Sequence, residues 1–453
     1  MTNSGTLLSA TLALPLVMLA ACLSPHLRNR MPALLAFAPL PAVAAALNEF
    51  GGTTLVLPRA LLGLTFVLDR SGAMLLGASA LLWVAAGAYA AVFLRGRPDS
   101  GRFTVWWLMT LTGSLGIFIA ADLMSFYLFF TLVSLAAYGL VVFDGTSDAK
   151  RAGAVYVSLA VLGEALLLMG FVLLAASEPN GSLLISDTAV SFATSPLRNA
   201  VLAFLILGFG LKIGLVPLHV WMPLTYSAAP IPAAAILSGA AVKAGIIFIR
   251  FLPFDQARPN WGAALAAVGF FSAFYGVAIG ITQSNPKTVL AYSSVSQMGL
   301  LAAVIGIGLT VGDTSVATPA IFYAVHHTLV KGGLFLAVGV GALTEGASLV
   351  AGGIPGRSAC ARTWRSSSDR RRIGKARHKG IARGRSRRHT RHPFVDCQHG
   401  SDDSFPAAPQ IRRSGRSARV NFDGIGRTLA DNRNCRRRLT LGALSANCRR
   451  VIL

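Results

Sequence analysis

The sequence contains few residues that could hold a metal or a redox centre. Of its five cysteines, four lie in the last quarter of the chain, at Cys360, Cys397, Cys435 and Cys448. Cys22 is the only one in the apolar part, and its place near a predicted helix end is typical of an inert packing residue. Because no cysteine or histidine cluster has the spacing of a metal, iron–sulfur or haem site, we expect no cofactor and no bound metal.

Charged residues are also scarce through most of the chain. They make up 13% of the sequence, against 54% hydrophobic residues, although the formal net charge is +23. Residues 357–453 hold 25 Lys and Arg against six Asp and no Glu, which leaves 16 basic and 12 acidic residues in positions 1–356. This composition, with a mean hydropathy of +0.60, excludes a soluble globular protein and indicates a polytopic membrane protein.

Apolar runs recur along the first three quarters of the chain. The first run lacks a preceding basic region, so we interpret residues 7–23 as a retained span and not as a cleaved signal. Taking about 20 apolar residues per crossing, we predict eleven spans near 6–24, 31–49, 72–95, 104–120, 122–143, 152–176, 199–224, 229–251, 261–282, 287–308 and 317–345. The glycine-rich stretch 50–70 is predicted to be an extracytoplasmic loop or a short hairpin.

Basic residues in the short loops predict the orientation of these spans. Short cytoplasmic loops collect Lys and Arg, and most basic residues follow odd-numbered spans, at His26–Arg30, Arg95, Arg97, Arg102, Lys150, Arg151 and Lys287. Arg250 and Arg258 lie on the opposite side. We therefore expect a multi-pass protein of the bacterial inner (plasma) membrane with its N-terminus outside.

Lys212 is the strongest candidate for a functional residue inside the membrane. It lies near the middle of the seventh run, shortly before Pro217, which removes a backbone donor and interrupts the helix. A charge at membrane depth usually faces a bundle interior or an aqueous path. The alternative is a lysine that snorkels to the interface, which the apolar residues on both sides of Lys212 disfavour. Glu164 is the only carboxylate well inside a span of the apolar part, and we predict that it pairs with Lys212.

Four further residues are candidates for a proton path. Lys243 lies among small residues that favour close helix packing. His327 and Lys331 are four residues apart, so they share a helical face on which an imidazole and an ammonium group could act in series. His219 lies beside the predicted break, where it either relays a proton or hydrogen-bonds a freed carbonyl.

Around these residues the chain resembles the antiporter-like subunits of respiratory complex I, the multisubunit sodium/proton antiporters and the membrane-bound hydrogenases. The matching segments are VPLHVWMPL (216–224) after Lys212, APIP (229–232), LS (237–238), VKAG (242–245), KTVLAYSS (287–294) and HTLVKGGLFL (327–336). The resemblance covers residues 60–356. It implies an all-α, polytopic transmembrane helix bundle with inverted five-helix repeats and a broken seventh helix.

The resemblance also implies a function. The chain would translocate protons as a non-redox membrane subunit of a complex I-like NADH:quinone oxidoreductase, a membrane hydrogenase or a cation/proton antiporter. Lys212 would be the central channel lysine, Lys243 the connecting lysine, and His327 with Lys331 the second half-channel. Expected partners are other membrane subunits, the lipid bilayer, and protons or sodium, with no nucleic acid. The alternative is a structural membrane anchor that does not pump.

One departure from the family pattern favours the structural alternative. The family carries a glutamate after an aromatic pair in its fifth helix, whereas this chain has Thr131 after Phe129 and Phe130. A threonine cannot be the charged partner of Lys212. Some family members hold an acid at the position of Glu164, and the resemblance allows this residue to take over the role.

A second departure is the end of the resemblance near Arg357. Residues 357–453 contain no apolar run long enough to span a membrane. We interpret this basic, disordered tail as the product of a reading-frame shift; the alternative is a basic arm that binds anionic lipid or nucleic acid. The predicted organisation is therefore N-terminal spans and a loop (1–71), an incomplete proton-translocating domain (72–356) and the tail (357–453).

Overall fold

The computed structural model describes residues 3–48, 53–57, 63–192 and 194–350. Its helices are α1 (Asn3–Ala21), α2 (Pro25–Arg28), α3 (Leu40–Asn48), α4 (Arg70–Phe93), α5 (Ser100–Ile119), α6 (Leu123–Val141), α7 (Ser147–Ala176), α8 (Ile185–Ser191), α9 (Arg198–Ile213), α10 (Trp221–Ala228), α11 (Ile231–Gly239), α12 (Pro259–Gly280), α13 (Pro286–Val311) and α14 (Ala317–Val350). Short 3₁₀ helices cover Met31–Leu34, Leu218–Val220, Ala241–Phe251 and Thr314–Val316. The predicted basic tail, 357–453, lies outside the described residues.

Nine helical segments of the described chain are long and apolar enough to cross a membrane. They correspond to the third to eleventh predicted spans. Three of them join an α-helix to further helical turns, Arg198–Ala228, Ile231–Phe251 and Thr314–Ala342. The apolar part of α1, Gly5–Ala21, is shorter than these nine. The prediction of an all-helical, multi-pass membrane bundle is therefore confirmed.

The second predicted span, 31–49, is wrong as a single helix. The chain forms a 3₁₀ helix over Met31–Leu34 and a separate short helix, α3. Pro39 directly precedes α3, and Pro41 lies in its first turn. Proline has no N–H to donate and is best tolerated in the first turn of a helix, so these residues favour a helix start here over one continuous span. The connecting backbone packs closely on α4, because a Cβ added to Gly87 would lie 2.9 Å from the carbonyl carbon of Leu35.

The glycine-rich stretch forms a hairpin in its described part, which is one of the two predicted alternatives. Strand β1 (Thr53–Leu57) pairs antiparallel with β2 (Leu64–Leu68), with Leu55 opposite Phe66. The hairpin is anchored to the α5–α6 turn, because the Thr65 backbone N–H donates to the Asp122 carboxylate at 2.7 Å. Asp122 also accepts the Ser125 N–H at 2.7 Å, so one buried carboxylate caps α6 and holds the hairpin.

The seventh span is broken where the lysine–proline pattern predicts. Helix α9 ends at Ile213 and is capped by Gly214, which has φ +72° and so adopts the left-handed conformation that glycine tolerates. The break frees backbone groups, and two side chains bind them. The Trp221 Nε1–H donates to the Leu211 carbonyl at 2.9 Å, and the Val216 N–H donates to Ser272 Oγ at 3.0 Å. This satisfies the requirement that irregular backbone at membrane depth be paired inside the protein.

Glycines bring α12 and α13 into backbone contact. Gly262, Gly269 and Gly276 recur every seven residues on α12 and so face one side of the helix. A Cβ added to Gly269 would lie 2.5 Å from the Ala303 nitrogen and 2.7 Å from the Gly299 oxygen. Small residues at such a contact let two membrane helices approach closely, which is the main source of their association in lipid.

Two ion pairs lie at opposite ends of the bundle. Arg97, after α4, pairs with Asp144, after α6, at 3.4 Å, which joins two loops predicted to be cytoplasmic. Arg250 binds Asp69 at the start of α4 and the Ala120 carbonyl at the end of α5. Arg250, one of the two basic residues that depart from the loop-charge pattern, is thus held by a carboxylate and by the carbonyl end of a helix, where a cation is stabilised.

We expect Arg250→Met to lower the free energy of unfolding by about 2 kcal/mol, because it removes charge-assisted hydrogen bonds from a mostly buried side chain. The matched control is Arg97→Met, whose ion pair is 42% and 40% exposed and is worth less than about 1 kcal/mol. Denaturant unfolding of the purified protein in detergent measures both. Equal losses would show that Arg250 is an ordinary surface ion pair.

Candidate functional site: buried titratable side chains in the bundle

Lys212 lies in the last turn of α9 with its side chain inside the bundle. It is 8% exposed, and its Nζ donates to Ser134 Oγ on α6 at 2.6 Å. The ammonium also lies 4.9 Å from the centre of the Phe130 ring, within the range of a cation–π interaction. The broken helix helps to place the charge, because the carbonyl end of α9 carries partial negative charge.

Glu164 lies on α7, close to Lys212. Gly208 on α9 makes the close approach of the two helices possible, since a Cβ there would lie 2.6 Å from Leu167 Cγ and 3.2 Å from the Gly163 carbonyl oxygen on α7. The Glu164 carboxyl interacts electrostatically with Lys212 and with the Ser134 hydroxyl. Within the described part of the chain, the two charges form no direct ion pair and Glu164 Oε1 has no hydrogen-bond partner. The structure thus brings the predicted pair together, with a hydroxyl beside both groups.

A second cluster joins the helix pair α11 and α14. Lys243, fully buried in the 3₁₀ helix that follows α11, lies with its Nζ 2.7 Å from His327 Nδ1, and it donates to the Gly239 carbonyl at 3.0 Å. Lys331, one turn after His327, donates to Ser293 Oγ on α13 at 2.5 Å. The spacing of His327 and Lys331 in the sequence predicted that they share a helical face. The fold brings Lys243, from a different helix, into contact with His327.

The two clusters are close neighbours through the backbone that carries Lys243. A Cβ added to Gly245, two residues after Lys243, would lie 3.3 Å from the Lys212 Cβ. Ser238 on α11 and Ser294 on α13 share a hydrogen bond of 3.1 Å in the same buried layer. Polar and titratable groups therefore extend from Glu164 on α7 to Lys331 on α14.

His219 lies apart from both clusters. It is in the 3₁₀ helix after the break, with its ring 4.9 Å from Tyr275 and 6.2 Å from Tyr292, centre to centre. The freed carbonyl of Leu211 is taken by Trp221, and among the described residues His219 Nδ1 has no hydrogen-bond partner. Its role as a relay stays a prediction.

Ser134, which accepts a hydrogen bond from Lys212, is the residue of the candidate site that the sequence analysis missed. It lies one turn after Thr131 on α6, on the same side of the helix. The Thr131 hydroxyl, by contrast, has no hydrogen-bond partner in the described structure. The sequence contained a signal for it. Ser134 lies one turn from Thr131, which occupies the position of the family's glutamate, so its hydroxyl faces the same neighbouring helix. Across all the residues that the structure describes, no group of three or more His, Cys, Asp or Glu could hold a metal ion.

Comparison with known proteins agrees with this fold. Residues 120–348 match the family model described as NADH:quinone oxidoreductase/Mrp antiporter, TM. NADH-quinone oxidoreductase subunit N of Desulforudis audaxviator (strain MP104C) is 32% identical over 287 residues, which is 61% of this chain and 56% of that protein. Hydrogenase-4 component B of Escherichia coli (strain K12) is 28% identical and covers 61% of this chain and 43% of its own length. A Na(+)/H(+) antiporter subunit of Bacillus subtilis (strain 168) is 28% identical over 300 residues, with 63% and 58% covered.

Solved structures show the same fold. A chain of the Mrp complex from Dietzia sp. DQ12-45-1b superposes with a TM-score of 0.63 at 24% identity, covering 75% of this chain and 65% of that chain. A chain of the membrane-bound sulfane sulfur reductase, an archaeal respiratory membrane complex, gives 0.62 at 21% identity, with 74% and 70% covered. The chain spans about half the length of the curated relatives that it matches. Because the family model covers half of the sequence, this chain belongs to the NADH:quinone oxidoreductase/Mrp antiporter transmembrane family.

Proposed function

We propose that this chain translocates protons across a bacterial inner membrane, as one subunit of a larger membrane assembly. The observation that supports this most is the pair of neighbouring clusters of buried titratable side chains, Glu164 with Lys212 and Lys243 with His327 and Lys331. Ionisable groups inside a membrane are costly and usually mark an ion or proton path. Here five of them lie on four neighbouring helical segments, which a purely structural bundle does not need.

The contact between Lys243 and His327 is suited to passing a proton. Lys243 Nζ and His327 Nδ1 are 2.7 Å apart, so the one that holds the proton donates it to the other. Both are fully buried, and an additional charge on either would be expensive without a partner. A single proton shared between them leaves the pair with one positive charge in place of two, and it can move along the contact.

The orientation that we propose places the N-terminus outside. The loops after α4 and α6 lie together at one end of the bundle, joined by Arg97 and Asp144. Lys287, at the start of α13, binds the Ala229 carbonyl at the end of α10. These basic loops would face the cytoplasm by the positive-inside rule. The names of the relatives support partner subunits, since they include subunits of an NADH-quinone oxidoreductase and of a Na(+)/H(+) antiporter.

The second candidate function is a structural anchor that does not move protons. Thr131 supports it, because this side chain cannot carry charge and its hydroxyl lacks a hydrogen-bond partner in the described part of the protein. The two functions differ in what the buried carboxyl does. In a proton path Glu164 exchanges a proton with its neighbours, whereas in an anchor it only fills space.

The test is proton flux into liposomes that contain the purified full-length chain, driven by an imposed pH gradient and followed with an entrapped pH-sensitive dye. We expect Glu164→Gln to reduce the flux by about a hundredfold, because it removes a proton-exchanging group at nearly constant volume. The matched control is Asp148→Asn, in the exposed first turn of the same helix, which should leave the flux within about twofold. Flux no greater than in protein-free liposomes, or equal in both variants, would favour the structural anchor.

A further inference from the structure

We propose that the Ser134 hydroxyl is the proton link between Lys212 and Glu164. This inference rests on the proposed function, and it names the group that carries the proton between Lys212 and Glu164. It assigns a working role to a residue of α6 that carries no charge. It also explains how the chain connects a lysine on α9 with a carboxyl on α7 without a direct ion pair.

The first half of the link is formed in the structure. Lys212 Nζ donates to Ser134 Oγ at 2.6 Å, and this is the hydrogen bond that the ammonium makes in the described structure. The Ser134 hydroxyl donates its own proton to the Phe130 carbonyl at 2.8 Å. A hydroxyl has one donor and two acceptor positions, so Ser134 accepts from Lys212 and donates elsewhere at the same time.

In the second half of the link, that hydroxyl turns from the Phe130 carbonyl to the Glu164 carboxyl. The Glu164 carboxyl interacts with the Ser134 hydroxyl, and its Oε1, although buried, has no hydrogen-bond partner among the described residues. A buried, unpaired carboxyl oxygen is costly. The Phe130 carbonyl is a helix carbonyl that α6 can pair with its own backbone, so the Ser134 proton can leave it at little cost.

The backbone around Ser134 is held in place by a neighbouring helix. Tyr156 on α7 donates its hydroxyl proton to the Ser134 carbonyl at 2.9 Å, which fixes α6 against the helix that carries Glu164. Tyr156 is itself buried and packs against Trp221, at the start of α10. Tyr156 thus contacts both the Ser134 backbone and Trp221, the residue that binds the Leu211 carbonyl at the helix break.

The transfer step conserves atoms and charge. One N–H bond of the Lys212 ammonium breaks as its proton bonds to Ser134 Oγ. The original O–H bond of Ser134 breaks as that proton bonds to Glu164. An ammonium and a carboxylate become a neutral amine and a neutral carboxylic acid, with Ser134 unchanged. No electron is transferred, and no co-reactant is required.

The test uses infrared difference spectroscopy of the full-length chain in lipid nanodiscs, in which a pH change reveals the carboxylic acid C=O band. Loss of that band in Glu164→Gln assigns it. We expect Ser134→Ala to move the band to higher wavenumber, because the carboxyl loses its hydroxyl partner. Thr131→Val, one turn away, removes a hydroxyl that has no described partner and should leave the band in place.

Flux in liposomes is the second measurement. We expect Ser134→Ala to lower it by about tenfold or more and Ser134→Thr, which keeps a hydroxyl, to restore most of it. A band that Ser134→Ala leaves unmoved, or a flux that it leaves unchanged, overturns the link even if the chain moves protons. A shifted band in a chain without flux means that the proposed function fails while the hydrogen-bonded link is present.

Discussion

Replacing Lys212 by methionine is expected to abolish proton flux, with a loss of more than about a hundredfold. Among the described residues, Lys212 is the only basic group that hydrogen-bonds the Ser134 hydroxyl. It lies between Glu164 and the cluster of Lys243, His327 and Lys331. Methionine fills nearly the same volume without a proton to give or accept. Proton flux in liposomes, at matched protein incorporation, measures the effect.

A double variant separates loss of transport from loss of folding. Lys212→Met alone leaves the Glu164 carboxyl buried without its basic neighbour, which costs stability. We expect Lys212→Met with Glu164→Gln to recover part of that stability and none of the flux. The matched control, Lys150→Met, changes an exposed lysine of α7 and should keep the flux of the unaltered protein. Substantial flux in Lys212→Met would remove this lysine from the path.

Gly269→Val is expected to cost about 3 kcal/mol of unfolding free energy. The valine Cβ would lie 2.5 Å from the Ala303 nitrogen and 2.7 Å from the Gly299 oxygen, both of which are backbone atoms of α13. Backbone atoms cannot rotate away, so the two helices must separate and lose contacts along their length. The midpoint of denaturant unfolding in detergent is the measurement.

The control for this prediction is Gly333→Val on α14. No described atom would lie within 4 Å of a Cβ added to Gly333, so a side chain at this exposed position would meet open space. Both substitutions replace a helical glycine by the same β-branched residue, and they share any effect on helix propensity. The difference between them is therefore the packing contribution. Equal losses would mean that the close approach of α12 and α13 contributes little to stability.

Several features could be predicted because their cause is local in the sequence. The length of an apolar run indicates a span, and nine of the eleven predicted runs are long membrane-crossing helices in the described chain. Pro217 indicates a helix break, and the chain breaks there. The same reasoning, applied to Pro39, would have divided the run 31–49, which was predicted as one span from its hydropathy alone.

The candidate site was predictable as a set of residues and not as an arrangement. Membrane depth makes each buried charge exceptional, so Lys212, Glu164, Lys243, His327 and Lys331 stand out one by one. Their partners lie up to 84 positions away in sequence, as Lys243 and His327 do, and no local pattern connects them. Ser134 was missed because a serine in a helix has no cost that draws attention to it.

Hydropathy, proline chemistry and spacing along single helices were enough to define the membrane class, the order of most helices, the break in the seventh span and the identity of the buried charges. Three contacts required the folded chain. A hydroxyl lies beside both Lys212 and Glu164, Lys243 meets His327, and Arg250 binds the carbonyl end of a helix. These contacts join distant segments, and only the packing of helices against one another sets which side chains meet.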